Sequence, residues 1–136
     1  MLESGAVDII QPDVAHCGGI SELRRIAALA EAYDVALAPH SSLGPIALAA
    51  CLQIGACCPN HAIQEMSLNI HYNVEGYDLL TYVVNMEVFE VKDKGWVDVP
   101  MGPGIGVEID EDMVVSEKPA AWRSVIWRGE NGELQE

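Results

Sequence analysis

Apolar residues along this chain arrive in short unbroken runs and not in alternation. AVDIIQ (6–11) is a β-branched run closed by Pro12-Asp13, VALA (35–38) is closed by Pro39-His40, and HAIQ (61–64) is closed by Glu65. Runs too apolar to alternate predict strands covered on both faces, as in a parallel sheet. Between the first two, His16–Gly19 predict a glycine turn and Ser21 an N-cap. The helix that follows sets Leu23, Ile26, Ala27, Ala30 and Tyr33 at the helical period, with Glu22, Arg24, Arg25 and Glu31 off that stripe and Asp34 at its end. Between the second and third, Pro45 suits the first turn of a helix that runs through Cys57 and stops at Pro59-Asn60. That helix is apolar nearly all round, so it must be covered on most sides.

Strand–helix–strand–helix–strand is the pattern of an α/β fold with parallel strands. Asp13, His40 and Glu65 each follow a strand, 27 and 25 residues apart. One βα unit fits each interval, which puts the three side chains at the carboxyl edge of one sheet, where α/β folds build their sites. Three strands with two helices cannot cover both faces of so apolar a sheet. The expectation is therefore the C-terminal part of a larger α/β protein, or a chain that pairs with one.

Beyond Ser67 the character changes. Residues 78–85 predict a short helix, and Val88–Val91 with Trp96–Val99 a hairpin turned at Asp93-Lys94-Gly95; a Gly-rich turn, a strand-like VEID and an acidic tail follow. Residues 1–70 thus read as βα units, and 71–136 as a C-terminal helix, hairpin and tail that pack on the rest of the protein.

Charge narrows the partners. Twenty-one acidic against seven basic residues in 136 give a net charge of −14, a field that repels nucleic acid and anionic membranes. No stretch has the length and hydropathy of a membrane span, and the N-terminus lacks the basic-then-apolar pattern of a signal peptide. Cys17, Cys51, Cys57 and Cys58 form no CxxC pair or disulfide framework and read as small hydrophobes in a reducing cytoplasm.

The candidate chemistry lies at the strand ends. Adjacent parallel strands are about 4.8 Å apart, so Asp13 can accept one ring N–H of His40, fix its tautomer and leave the other nitrogen to move a proton. A core histidine bonded to a carboxylate fits the same spacing. Glu65, ending an apolar strand, must be paired, neutral or facing a ligand; a salt bridge or helix-terminal charge is the alternative. His16, in HCGG, could bring backbone amides to an anion, although a glycine turn explains it more simply. His61 reads as structural, and His71 with Tyr72 follows the third strand. GPGIG (102–106) has neither the strand-to-helix context nor the GK[ST] of a phosphate loop and reads as a turn. Trp96, Trp122 and Trp127 suit an interface better than a stacking platform.

At these residues the chain resembles a known family. VDIIQPDVAHCGGISELRRIAALAEAYDVALAPHSSLGPIALAACLQIGACCPNHAIQE, with IHYN, GPGIGVEID and the WR…WR tail, is similar to the barrel portion of the enolase superfamily, mandelate racemase subgroup, and within it to the sugar-acid dehydratases. The resemblance implies a (β/α)8 TIM-type barrel of which this chain supplies about strands six to eight. It also implies a C-terminal segment that returns to a capping domain. It assigns Asp13 and His40 to a proton-abstracting dyad and Glu65 to the substrate carboxylate and the enediolate formed from it; His16, from its loop beside Asp13, stays a substrate-binding candidate on the residues alone. It further implies an aldonate substrate, Mg²⁺ held by carboxylates on earlier strands, a 2-keto-3-deoxy product and, in the full-length protein, a homo-oligomer.

Residues 1–136 alone are then expected neither to hold Mg²⁺ productively nor to turn over. Ser41-Ser42 departs from the Cys-Pro-like pair that the resemblance places after the histidine. A racemase, epimerase or cycloisomerase of the same superfamily, and a non-catalytic truncated binding module, are the competing readings.

Overall fold

The structure, a computed structural model, describes residues 1–68 and 82–116. A 3-10 turn at Leu2–Ser4 leads to strand β1 (Ile9–Ile10), helix α1 (Ile20–Glu31), strand β2 (Ala36–Leu37) and helix α2 (Pro45–Cys57). After 3-10 turns at Met86–Phe89 and Asp93–Gly95 comes a short helix α3 (Glu111–Ser116). β1 and β2 pair in parallel, Ile9 with Ala36 and Ile10 with Leu37, and Leu37 also bridges in parallel to His61. The spatial order is β1, β2, His61, each step crossed by one helix, as the apolar runs predict.

The strands are shorter than those runs, and proline is the reason. The ladder Ala36 N–H to Asp8 O, Ala38 N–H to Ile10 O and His40 N–H to Pro12 O is one-sided near its end, because Pro12 has no N–H to return. On the other flank Leu37 donates to Asn60 O and Ala62 to Leu37 O. Pro39 cannot donate the next rung, and the Gln64 side chain supplies a bond to its carbonyl instead (3.1 Å). The expected strand 61–64 is therefore a single bridge, with Ile63 68% exposed.

The N-cap of α1 is Gly19, two residues before the expected Ser21. Gly18 (φ 108°) and Gly19 (φ 92°) make the left-handed turn, and Gly19 O already accepts the Leu23 N–H, so no side chain caps the helix. Leu23, Ala27 and Ala30 are buried as the stripe requires, whereas Tyr33, past the last turn, is exposed.

α2 is covered on two sides. Ala50, Cys51 and Ile54 join Val14, Leu23, Ala27 and Leu37 in the core between sheet and helices. Leu48, Ala49 and Leu52 pack with Val83 and Phe89, flanked by Met86, Val97, Ile105 and Ile109. The later segment is thus a lid on the apolar helix, tied down where the Gln53 amide donates to Pro100 O (2.6 Å).

Its details differ from the expected ones. Of the expected helix 78–85, residues 78–81 lie outside the described residues, and Val83 is extended, in an antiparallel bridge with Ile109. Val88 is wound into a 3-10 turn because Phe89 must be buried, so the expected hairpin keeps its turn but only one bridge, Lys92 with Trp96. GPGIG is a packing turn: a Cβ on Gly106 (φ 83°) would lie 2.4 Å from Pro100 Cβ. Trp96 is exposed; His71, Tyr72, Trp122 and Trp127 lie outside the described residues. Among the described residues no helix is long and apolar enough to cross a membrane.

Candidate active site

The β1–β2 register carries past Pro12 and Pro39 to a parallel bridge between Asp13 and His40, so the two residues face each other at the carboxyl edge of the sheet. Asp13 is 9% exposed. One of its oxygens, Oδ1, accepts the Ala15 N–H at 2.7 Å, and the other, Oδ2, lies 2.6 Å from His40 Nδ1. Both oxygens are engaged, so the carboxylate cannot swing away. A carboxylate only accepts, which puts the imidazole proton on Nδ1 and leaves the Nε2 lone pair outward.

Nε2 looks into a small polar cluster. Ser42 Oγ lies 3.4 Å from it and Glu65 Oε2 3.8 Å. Glu65 in turn accepts the Ser41 backbone N–H at 2.8 Å, and Ser67 Oγ donates to Ser42 O at 3.3 Å. The loop after His40 is thereby stitched to the segment after the third strand. The side chains of His40 and Glu65 remain 42% and 44% exposed, open to a substrate.

The electrostatics follow from the geometry. The hydrogen bond that His40 donates to Asp13 raises the His40 pKa above 6.5; partial burial opposes it, and the negative charges of Glu65 and Asp13 add to it. Burial pushes Asp13 up, but the His40 and Ala15 hydrogen bonds and the charges of His16 and His40 outweigh it and hold the carboxyl below its usual range.

Asp13, His40 and Glu65 are therefore brought together. His16 sits on the exposed turn, donating its backbone N–H to Asp13 O, and acts on the trio only through charge. His61 lies over Gly55 of α2, and burial lowers its pKa, which suits the structural part expected of it. The four cysteines are free, and burial pushes the Cys51 thiol up to about 11, so it is no nucleophile.

Sequence reasoning gave no part to Ser41 or Ser42. The signal available was their position immediately after the histidine, where a backbone amide and a hydroxyl necessarily lie near its ring.

Among the described residues no group of three or more His, Cys, Asp or Glu could hold a metal ion. Asp13 is spent on His40 and Ala15, and Glu65 on Ser41. These residues do not fit Mg²⁺, and no chemical step is routed through it.

Residues 1–113 match the model of the family described as enolase C-terminal domain-like. The D-galactonate dehydratase of Variovorax paradoxus (strain S110) is 49% identical over the whole chain, and the chain spans about a third (36%) of that protein's length. A solved enolase from Agrobacterium radiobacter, with bound Na and L-malate, superposes on 98% of the chain and 35% of its own length, with a TM-score of 0.76 and 37% identity. A mandelate racemase/muconate lactonizing enzyme from a Sulfitobacter species covers 82% of the chain and 26% of its own length, with a TM-score of 0.67 and 34% identity.

Proposed function

The chain belongs to the enolase C-terminal domain-like family, and we propose on that premise that it supplies the proton-abstracting side of an acid-sugar dehydratase acting on D-galactonate. Its strand–helix units are part of a (β/α)8 TIM-type barrel. In this reading the remaining barrel strands and a capping domain meet the chain along its exposed flanks, where Ile9 is 54% and Ile63 68% exposed, and any Mg²⁺ is held there.

The observation that carries the reading is the pair of contacts on one ring: Asp13 on His40 Nδ1 at 2.6 Å, and Glu65 near Nε2 at 3.8 Å. Nε2 takes the proton α to the substrate carboxylate, and the electron pair left behind moves into that carboxylate as an enediolate. Asp13 stabilises the imidazolium that results. Glu65, with Oε2 taken by the Ser41 N–H, offers Oε1 as the hydrogen-bond partner of the substrate carboxylate and of the enediolate formed from it. The β-hydroxyl then leaves as water with a proton from a general acid, and the enol left behind becomes a 2-keto-3-deoxy acid. In this reading His16, on the exposed turn beside Asp13, is a further substrate-binding residue.

A racemase or epimerase reading shares the first step, and the 34% identity to a mandelate racemase/muconate lactonizing enzyme supports it. The product separates the two. The chain is co-expressed with the preceding two-thirds of the Variovorax protein and given D-galactonate in D₂O. Release of a 2-keto-3-deoxy acid is expected; deuterium at C2 with inversion and no keto acid favours the racemase. The His40→Asn variant should lose at least about a hundredfold in exchange, and exchange at the wild-type rate in that variant refutes the role given to His40.

A further inference from the structure

Ser42, which the dehydration does not use, closes a line of three groups: Asp13 Oδ2, His40 Nδ1 at 2.6 Å, and Ser42 Oγ at 3.4 Å from His40 Nε2. We propose that these residues form a nucleophilic relay that transfers acyl groups, with small esters and lactones as its substrate class.

The tautomer set by Asp13 leaves the Nε2 lone pair as acceptor for the Ser42 hydroxyl, the polarity a serine nucleophile needs. A separation of 3.4 Å suits an unliganded site, where such bonds are commonly long. Glu65 Oε2, 3.8 Å from Nε2, favours the imidazolium that forms when the serine proton moves.

The backbone supplies what the charge requires. Ser42 lies between the end of β2 and the start of α2, on a turn that Gly44 (φ 134°) makes possible. Among the described residues the N–H groups of Leu43 and Gly44 have no acceptor, and Ile46 and Ala47 occupy the first turn of α2, where a helix offers its amides no i−4 partner. Amides directly after a nucleophile, reinforced by a helix N-terminus, stabilise an acyl oxyanion. From the same residues opens a groove of about 580 Å³ walled by Ala15, Gly19, Leu43, Gly44, Ala47 and Tyr82, which fits a short apolar acyl or alkoxy group.

The step balances without a co-reactant other than water. Ser42 Oγ bonds to the ester carbonyl carbon as its proton passes to His40 Nε2. The tetrahedral oxyanion collapses, the carbon–alkoxy bond breaks, and the alcohol leaves with the proton from Nε2. Water, deprotonated by His40, then attacks the acyl carbon, releasing the carboxylic acid and returning the proton to Ser42.

The 136-residue chain is treated with phenylmethylsulfonyl fluoride and separately with p-nitrophenyl acetate, and adducts are located by peptide mass spectrometry. One equivalent on Ser42 is expected from each, lost in Ser42→Ala and slowed at least about tenfold in His40→Asn. An adduct on His40 or on another hydroxyl, no adduct at all, or a Ser42 rate indifferent to His40→Asn overturns the proposal. Should Ser42→Ala fail to fold, Ser42→Cys replaces it: alkylation of Cys at 42 by iodoacetamide should slow at least about tenfold when His40→Asn is added, and an unchanged rate counts against the relay.

Ser42 labelling reads no aldonate chemistry, and α-proton exchange reads no acyl transfer. Labelling without exchange therefore refutes only the dehydratase reading, and exchange without labelling only this one.

Discussion

Glu65 Oε2 accepts the backbone N–H of Ser41 at 2.8 Å across 24 residues of chain. The second carboxylate of the site is thus held by the residue next to the histidine it serves. His40 is held from the opposite side by Asp13, so two neighbouring strand ends converge on one imidazole whose outer nitrogen stays accessible. A parallel sheet delivers this economically, since each βα unit returns the chain to the same edge.

The His40–Asp13 pair predicts a pH response of definite sign. The raised His40 pKa means that its contribution to stability is complete below about 6.5 and is lost as pH rises through the raised value. The lowered Asp13 pKa means that its contribution is complete above about 3.9 and is lost as pH falls through the depressed value. The pair is strongest between those limits. An NMR titration of the His40 Cε1–H should show a midpoint above 6.5 that falls in Asp13→Asn. Proton abstraction needs the neutral ring, so exchange should drop about tenfold per pH unit below that midpoint. An Asp13→Asn variant with an unmoved midpoint would remove the dyad.

How far the fold and site were legible can be argued from these same residues. The trio was readable because three apolar runs each end on one polar side chain, and a βα unit of ordinary length separates them. Strand extent was not readable: Pro12 and Pro39 close the runs in sequence but also delete ladder donors, and that cost emerges only once the partner strand is known. The start of α1 moved because a glycine carbonyl at 19 began the helix before the serine at 21 could cap it. Val88 and Val83 look like strand and helix residues in isolation, yet burial of Phe89 against α2 and pairing with Ile109 decided otherwise. Ser41 acts through its backbone amide, a contribution independent of side-chain identity and so invisible to a search for motifs.

Gly55 and His61 predict a coupled pair of substitutions. A Cβ on Gly55 would meet the His61 ring at 2.9 to 3.0 Å. Glycine within a helix costs about 1 kcal/mol relative to alanine, so Gly55→Ala should stabilise α2 wherever that ring is absent. In the wild-type background the clash should cancel the gain or reverse it. Urea titrations of Gly55→Ala, His61→Ala and the double variant should show non-additivity of at least about 0.5 kcal/mol; simple additivity would mean that the ring moves aside without cost.

Asn60 predicts a larger loss. Its side-chain amide donates to Ala27 O at 3.1 Å and Val35 O at 2.9 Å, tying the last turn of α1 to the entry of β2. Asn60→Ala leaves those carbonyls without that donor and should cost about 1–3 kcal/mol. Asn60→Asp sets an acceptor against two acceptors and should cost more. Urea midpoints with unchanged slopes check both, and a neutral Asn60→Ala would show that water replaces the amide fully.

Cysteine reactivity should report on α2 itself. Cys51 is completely buried, and burial pushes its thiol up to about 11, whereas Cys57 at the end of the same helix is exposed. The thiolate is the reacting species, so at pH 8 only about one Cys51 in a thousand is ionised even before access is considered. Iodoacetamide followed by peptide mapping should therefore alkylate Cys57 at least about a hundredfold faster than Cys51 in the folded chain. The two rates should converge in 6 M guanidinium. Leu37→Ala, which empties a fully buried site packed against Cys51, should cost about 2–5 kcal/mol and bring Cys51 alkylation forward at lower denaturant. Equal rates for the two thiols in the native chain would mean that α2 is not packed into the core as described.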